Sequence, residues 1–71
     1  MTIRELLQVF SSNGKIESDI CIIVYDDCDM VSAEFDSGTA LADIENLTSI
    51  NLDFSVEHAY WEDGCLFIEG E

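Results

Sequence analysis

The 71-residue chain contains no proline, and its 16 acidic residues are balanced by only two basic residues, Arg4 and Lys15. The formal net charge is therefore −14 at pH 7. Nucleic acids and anionic membranes are bound through lysine and arginine, so this shortage of bases argues against direct binding to either. The absence of proline leaves edge strands without one of the residues that block unwanted strand pairing.

Sequence motifs typical of enzymes are also missing. The chain has one histidine, His58, and neither a Gly-x-Ser-x-Gly motif nor a phosphate-binding loop. The acidic run at residues 26–29 lacks the spaced ligands, the glycine and the closing glutamate of a calcium loop. We therefore expect a protein that is not an enzyme and acts by binding, with a small metal-binding enzyme as the least favoured alternative.

Long hydrophobic runs are absent as well. The longest apolar run, Ile20 to Tyr25, is far too short to span a bilayer. The start of the sequence shows no basic segment followed by an apolar run, so we expect no signal peptide. These features predict a cytoplasmic protein that makes no membrane contact and whose three cysteines stay reduced.

The hydrophobic fraction of 48% predicts a folded chain, and its length predicts a single domain spanning residues 1–71. Thr2 and Glu5 have the spacing of a capping box, which predicts a helix over residues 2–10. The Asn-Gly pair in residues 11–14 is expected to end that helix in a left-handed conformation, followed by a loop.

Four strands are expected after the helix, at residues 19–25, 30–35, 50–61 and 65–69. The first is β-branched and apolar on both faces, which is typical of a covered central strand. In the third, residues for the two faces of a strand alternate with period two, and the Asp63-Gly64 pair after it favours a hairpin with a two-residue loop. Residues 39–47 fit either a short helix or a loop. The expected fold is α+β, with one N-terminal helix packed on an antiparallel sheet of about four strands and with room for a second short helix.

Three cysteines and the histidine could form a Cys₃His site, a ligand set that structural zinc accepts. The candidate ligands are Cys21, Cys28, His58 and Cys65. A two-residue hairpin loop would put Cys65 on the face of His58, whereas a three-residue loop would put it on the opposite face. No Cys-x-x-Cys pair is present, and a mid-strand cysteine such as Cys21 is commonly a small core residue. Buried or idle thiols are therefore the favoured interpretation, and a structural zinc ion is the alternative.

Acidic side chains are candidates for a partner-binding surface. The candidates are Asp26, Asp27, Asp29, Glu34, Asp36, Glu62 and Asp63. Carboxylates two residues apart on a strand project to one side at about 6.5–7 Å, close to two phosphate steps along one DNA strand. Such a row would attract a basic groove built for nucleic acid. A solvated acidic surface without a partner is the competing interpretation.

Aromatic residues add a further candidate. Tyr60 and Trp61 are neighbours in one predicted strand and point to opposite sides, so one of them is expected near the surface. Exposed aromatic residues often anchor protein contacts, and Trp61 is therefore included among the partner-binding candidates. Phe54 and Phe67 are expected to fill the core.

The opening Met1-Thr2-Ile3-Arg4-Glu5-Leu6-Leu7, followed by the apolar strand at Ile20–Val24, resembles the start of many short phage-encoded proteins. The small size, the acidity and the lack of enzyme motifs also resemble phage anti-CRISPR proteins, including acidic inhibitors of the type II effector Cas9. One such group is zinc-containing, which would suit the four candidate zinc ligands. The resemblance implies an inhibitor that acts in the bacterial cytoplasm by binding a basic nucleic-acid-handling protein, with Cas9 as the first candidate. The alternative is a structural or accessory phage protein that self-associates, for instance as a homodimer.

Overall fold

The computed structural model of the protein describes residues 1–27, 29–47 and 50–71. The first element is helix α1 (Ile3–Val9), which begins with the predicted capping box. The Thr2 side-chain oxygen accepts a hydrogen bond from the Glu5 backbone N–H, and the Glu5 carboxylate accepts one from the Thr2 backbone N–H. Phe10 is the C-cap of the helix.

A two-stranded ribbon follows helix α1, where the sequence predicts only a helix end and a loop. Strands β1 (Ser11–Ser12) and β2 (Lys15–Ile16) pair antiparallel around Asn13 and Gly14. The two turn residues have φ angles of 54° and 76°, which is the conformation of a two-residue primed turn. Asn13 and Gly14 adopt the predicted left-handed conformation, but they form a hairpin turn between β1 and β2 rather than the end of the helix, which is capped at Phe10.

A four-stranded sheet forms the rest of the protein together with a second short helix. These elements are β3 (Asp19–Asp26), β4 (Asp29–Phe35), α2 (Leu41–Leu47), β5 (Val56–Glu62) and β6 (Cys65–Gly70). The spatial order of the strands is β4-β3-β6-β5. The two hairpin pairs are antiparallel, and the central β3–β6 pair is parallel. The predicted α+β class and N-terminal helix are confirmed, and the sheet is mixed rather than wholly antiparallel.

The strand predicted at residues 50–61 is correct only from Val56 onward. Before it, the Asn51 side chain accepts a hydrogen bond from the Asp53 backbone N–H, a local turn that competes with strand pairing. A β-bulge between Val56 and His58 adds one residue to this edge strand. Because the extra residue reverses the alternation, Val56 faces the core and His58 faces the other side of the sheet.

The core lies between one face of the sheet, called the inner face, and the two helices. Its buried side chains are Ile3, Leu7, Ile16, Ile20, Ile22, Val24, Ile44, Ile50, Leu52, Leu66 and Ile68. Burial of each such side chain stabilises the folded state by about 1.5–3 kcal/mol relative to leaving it exposed. Neither α1 nor α2, the helices of the described residues, is long and apolar enough to cross a membrane.

Candidate functional site

The opposite side of the sheet, called the outer face, alternates with the core positions along each strand. Its side chains are Asp19, Cys21, Ile23, Tyr25, Met30, Ser32, Glu34, His58, Tyr60, Glu62, Cys65, Phe67 and Glu69. In the described part of the chain, both helices and the β1–β2 ribbon place their buried side chains against the inner face. Tyr25 and Tyr60 are consequently 44% and 41% exposed on the outer face.

One row across the outer face is aromatic. Phe67 of β6 pairs with Cys21 on one side and with Tyr60 on the other. The rings of Tyr60 and Phe67 stack at a centroid distance of 5.3 Å and an interplanar angle of 5°. The prediction that Phe67 fills the core is therefore wrong, because the residues on either side of it in β6 point inward.

A second row is centred on Glu69 of β6, which pairs with Ile23 and with His58. The Tyr25 hydroxyl donates a hydrogen bond to Oε1 of Glu69 at 3.3 Å, and the same carboxylate interacts with the Tyr60 hydroxyl. Partial burial, the charge of Glu69 and these hydrogen bonds raise the pKa of both tyrosines. A half-buried carboxylate therefore lies between two phenol groups on a largely apolar surface.

A pocket of about 410 Å³ opens at one end of the outer face. Its lining residues are Asp19, Ile20, Glu34, Phe35, Asp36, Glu62, Asp63, Cys65 and Phe67, of which five are acidic. The β5–β6 hairpin pairs Glu62 with Cys65, and the parallel β3–β6 pairing places Asp19 beside Cys65. Parallel pairing thus gathers, at one end of the sheet, carboxylates that are far apart in sequence. We call this site the acidic pocket.

The acidic pocket contains four of the predicted partner-binding acids. These are Glu34, Asp36, Glu62 and Asp63. Asp26, Asp27 and Asp29 lie instead at the other end of the sheet, where Asp26 and Asp29 pair beside the turn and all three are exposed. Asp19 is a pocket residue that the sequence reasoning missed, because its place depends on a parallel pairing that no local pattern shows.

Trp61 lies on the inner side of edge strand β5. It pairs with Leu66, its ring contacts Phe10, and it is 54% exposed. Tyr60 and Trp61, neighbours in β5, are therefore both accessible, one on each side of the strand. Tyr60 is the member that shares the outer face with the acidic pocket.

The two described cysteines lie on adjacent strands of the outer face. Burial is the main cause that raises the pKa of both the Cys21 and the Cys65 thiols. The negative charge of Glu34 raises both values further, and Asp19 adds to the effect on Cys65. Both thiols are therefore held more firmly in the protonated form, which neither binds metal nor attacks as a nucleophile.

The four predicted zinc ligands are not all brought together. The two-residue β5–β6 loop does put His58 and Cys65 on one face. His58, however, pairs with Glu69, which is four residues beyond Cys65 on β6, so His58 and Cys65 are four residues apart along the strands. That separation is about 13 Å at ~3.3 Å per residue. Cys28 lies outside the described residues. Among residues 1–27, 29–47 and 50–71, no group of three His, Cys, Asp or Glu side chains is arranged to hold a metal ion. A structural zinc ion stays a prediction, which native mass spectrometry with and without a chelator would decide.

Both basic residues lie away from the outer face. Arg4 of helix α1 donates a hydrogen bond to Glu45 at 2.8 Å and also pairs with Asp53. Lys15 belongs to the β1–β2 ribbon. The four strands β3 to β6 contain neither lysine nor arginine, so no lysine or arginine of the sheet neutralises the negative charge of the acidic pocket.

Comparisons of the chain with protein-family models, with curated proteins and with solved structures returned no match. Function is therefore inferred from the chemistry of the outer face.

Proposed function

We propose that the protein is a non-catalytic inhibitor that binds a basic nucleic-acid-handling defence protein and blocks its DNA binding or loading. Cas9 is the first candidate partner, from the anti-CRISPR resemblance, and the bacterial cytoplasm is the place of action. The observation that carries the proposal is the acidic pocket, which gathers five acidic residues on a sheet without lysine or arginine. Grooves that bind nucleic acid are lined by basic residues, so their potential is complementary to this face.

The carboxylates of the acidic pocket do not form the single phosphate-like row expected along one strand. Glu34 and Asp36 have the i, i+2 spacing that suggested a phosphate-like row. The other carboxylates reach the pocket from β3, β5 and the β5–β6 turn, so the charges form a two-dimensional cluster. Such a cluster supports contact with several lysine or arginine side chains at once.

Attraction of this kind acts first on the rate of encounter. Complementary potentials speed association, and salt weakens them because the Debye length is about 8 Å at 0.15 M ionic strength. We expect the association rate with the partner to fall steeply as salt increases, with a smaller effect on dissociation.

Two charge-matched variants test the proposal. The pocket variant carries Glu34→Gln, Asp36→Asn and Glu62→Gln. The distal variant carries Asp26→Asn, Asp27→Asn and Asp29→Asn, and it loses the same number of charges at the opposite end of the sheet. The readouts are binding to purified Cas9 and inhibition of its DNA cleavage.

The pocket variant is expected to bind at least about tenfold more weakly, equivalent to about 1.4 kcal/mol, while the distal variant stays close to the parent protein. Equal losses in both variants would contradict the pocket as the binding site. Absence of binding even at low ionic strength would reject Cas9 as the partner.

Self-association is the second candidate function, and exposed apolar residues favour it. Tyr25, Met30 and Tyr60 are exposed on the outer face. Pairing two copies through that face would, however, bring together two chains that each carry −14, which opposes the contact. Sedimentation equilibrium at low and high salt decides the matter, since a monomer at every concentration excludes this function.

A further inference from the structure

The outer face presents a second polar feature, separate from the acidic pocket, at Glu69. This residue lies on central strand β6 and is only half-buried, although apolar Ile23 is its partner on β3. The Tyr25 hydroxyl donates a hydrogen bond to its carboxylate at 3.3 Å, and the Tyr60 hydroxyl lies near the same carboxylate. We call these three residues the Tyr-Glu-Tyr cluster.

The Glu69 carboxylate keeps acceptor capacity for a ligand. An ionised carboxylate has about four lone-pair positions, and two tyrosine hydroxyls can use two of them. Neither of the two basic residues, Arg4 and Lys15, lies on this sheet to use the others. His58, the cross-strand neighbour of Glu69 on β5, makes no hydrogen bond to this carboxylate in the described part of the chain, so the remaining positions are open to a donor from outside the protein.

The chemistry of the cluster favours an arginine side chain over other cations. A guanidinium group donates two parallel hydrogen bonds to a carboxylate and stacks on aromatic surface, whereas lysine is a compact, strongly hydrated charge. Tyr25 and Tyr60 supply exposed aromatic surface beside Glu69. A metal ion would need more ligands than this one carboxylate supplies, and no metal-holding group of three exists among the described residues.

The open sheet face also limits the backbone of the partner. A sheet buries a free face against a helix or another sheet, and a helix satisfies its own backbone hydrogen bonds. Four strands span about 14 Å at ~4.8 Å per gap, enough to seat one helix of about 10–12 Å diameter. The exposed Tyr25, Met30 and Tyr60 require apolar side chains on that helix.

Spacing between the two anionic features sets the pattern of charges on the helix. Glu69 lies four residues along β6 from Cys65 of the acidic pocket, a separation of about 13 Å. A helix rises about 1.5 Å per residue, so basic residues roughly eight positions apart would reach both features.

From these observations we propose that the outer face binds an amphipathic helix of the partner, with one arginine held by the Tyr-Glu-Tyr cluster and a second basic residue in the acidic pocket. The proposal rests on the proposed function, because it names the chemistry of the partner at the same face. A second copy of this chain does not fit, since the chain has only two basic residues and neither lies on an apolar helix face in this spacing.

The test uses the full-length protein and three synthetic helical peptides. The first peptide is alanine-rich, with two arginines eight positions apart and leucines between them on the same face. The second peptide has lysines in place of both arginines, and the third has glutamines. Binding is followed by amide chemical shifts of the isotopically labelled protein, which also report the face that each peptide contacts.

The arginine peptide is expected to shift outer-face amides and to bind more tightly than the lysine peptide, with no binding of the glutamine peptide. Glu69→Gln should weaken the arginine peptide about tenfold or more, because it removes a charge-assisted hydrogen bond. Glu17→Gln, which removes the same charge from an exposed site outside the sheet, should leave binding unchanged.

Three results would overturn the inference: shifts confined to the inner face, equal affinity for the arginine and lysine peptides, or unchanged affinity in Glu69→Gln. The peptide comparison needs no variant, so it stands even if Glu69→Gln fails to fold. If Glu69→Gln still inhibits Cas9 while the pocket variant does not, the helix-binding inference fails and the proposed function stands. If the arginine peptide binds as expected but Cas9 is not bound, the proposed partner fails and the inference stands.

Discussion

The ring of Trp61 meets the ring of Phe10 edge to face, with centroids 5.7 Å apart and planes at 78°. Phe10 is the C-cap of helix α1, and Trp61 lies on edge strand β5. The contact therefore ties the end of the helix to the edge of the sheet. It gives Trp61 a structural role that does not depend on any partner.

We expect a double-mutant cycle of Phe10→Ala and Trp61→Ala to give a coupling energy of about 0.5–1.5 kcal/mol, because the edge-to-face geometry adds to simple burial. Urea unfolding followed by far-ultraviolet circular dichroism provides the free energies of unfolding. Phe10→Ala combined with Tyr60→Ala is the control, since Tyr60 points to the other side of the sheet. The control pair should be additive within about 0.3–0.5 kcal/mol. Additivity in the Trp61 cycle would contradict the prediction.

Gly70 of strand β6 lies close to Ile3 of helix α1 and to the backbone of Ser55. A Cβ there would lie 2.8 Å from Cδ1 of Ile3 and 2.9 Å from the Ser55 carbonyl oxygen. Gly70→Ala is therefore expected to destabilise the protein by about 1–3 kcal/mol, the usual cost of overpacking. Ser32→Ala, at an exposed outer-face position, should stay within about 0.5 kcal/mol of the parent. Comparable midpoints of chemical unfolding for the two variants would refute the close packing.

The capping box makes the stability of helix α1 depend on pH. Hydrogen bonds from the Thr2 backbone N–H and the Thr2 side chain lower the pKa of Glu5. Because the folded value lies below the unfolded one, the stabilisation is present above an unfolded pKa of about 4.3 and is lost as pH falls through the folded value. Glu5→Gln should be less stable than the parent near neutral pH, and the difference should shrink in acid.

Unfolding free energies of the parent and Glu5→Gln across this pH range provide the measurement. Glu17→Gln corrects for the change of one unit in net charge, since Glu17 lies outside the capping box. A stability difference that stays constant with pH would show that the Glu5 carboxylate does not act through its charge.

Self-repulsion among the 16 acidic residues predicts that salt stabilises the protein. Raising ionic strength from about 0.01 M to about 0.1 M shortens the Debye length from about 30 Å to about 10 Å, so the melting temperature should rise. A variant that combines the six substitutions of the pocket and distal variants has a net charge of −8, which is −14 plus 6, and should respond less to salt. Equal salt responses would show that repulsion contributes little.

Some elements were predictable because their signals are local. The capping box of Thr2 and Glu5 and the primed turn at Asp63-Gly64 depend only on residues close in sequence, and both form as expected. The prediction of a strand beginning at residue 50 was wrong for an equally local reason. The Asn51 side chain accepts a hydrogen bond that stabilises a turn, and this turn competes with strand pairing.

By itself, the sequence determined the excess of negative charge, the helix start and the two strand hairpins, because these depend on composition and on hydrogen bonds between near neighbours. Only the tertiary structure decided that β3 pairs in parallel with β6, which brings Asp19 beside Cys65 and Tyr25 onto Glu69, 44 positions later in the chain. Pairing between distant strands is set by which apolar faces cover one another in the core, a long-range choice that no short pattern encodes.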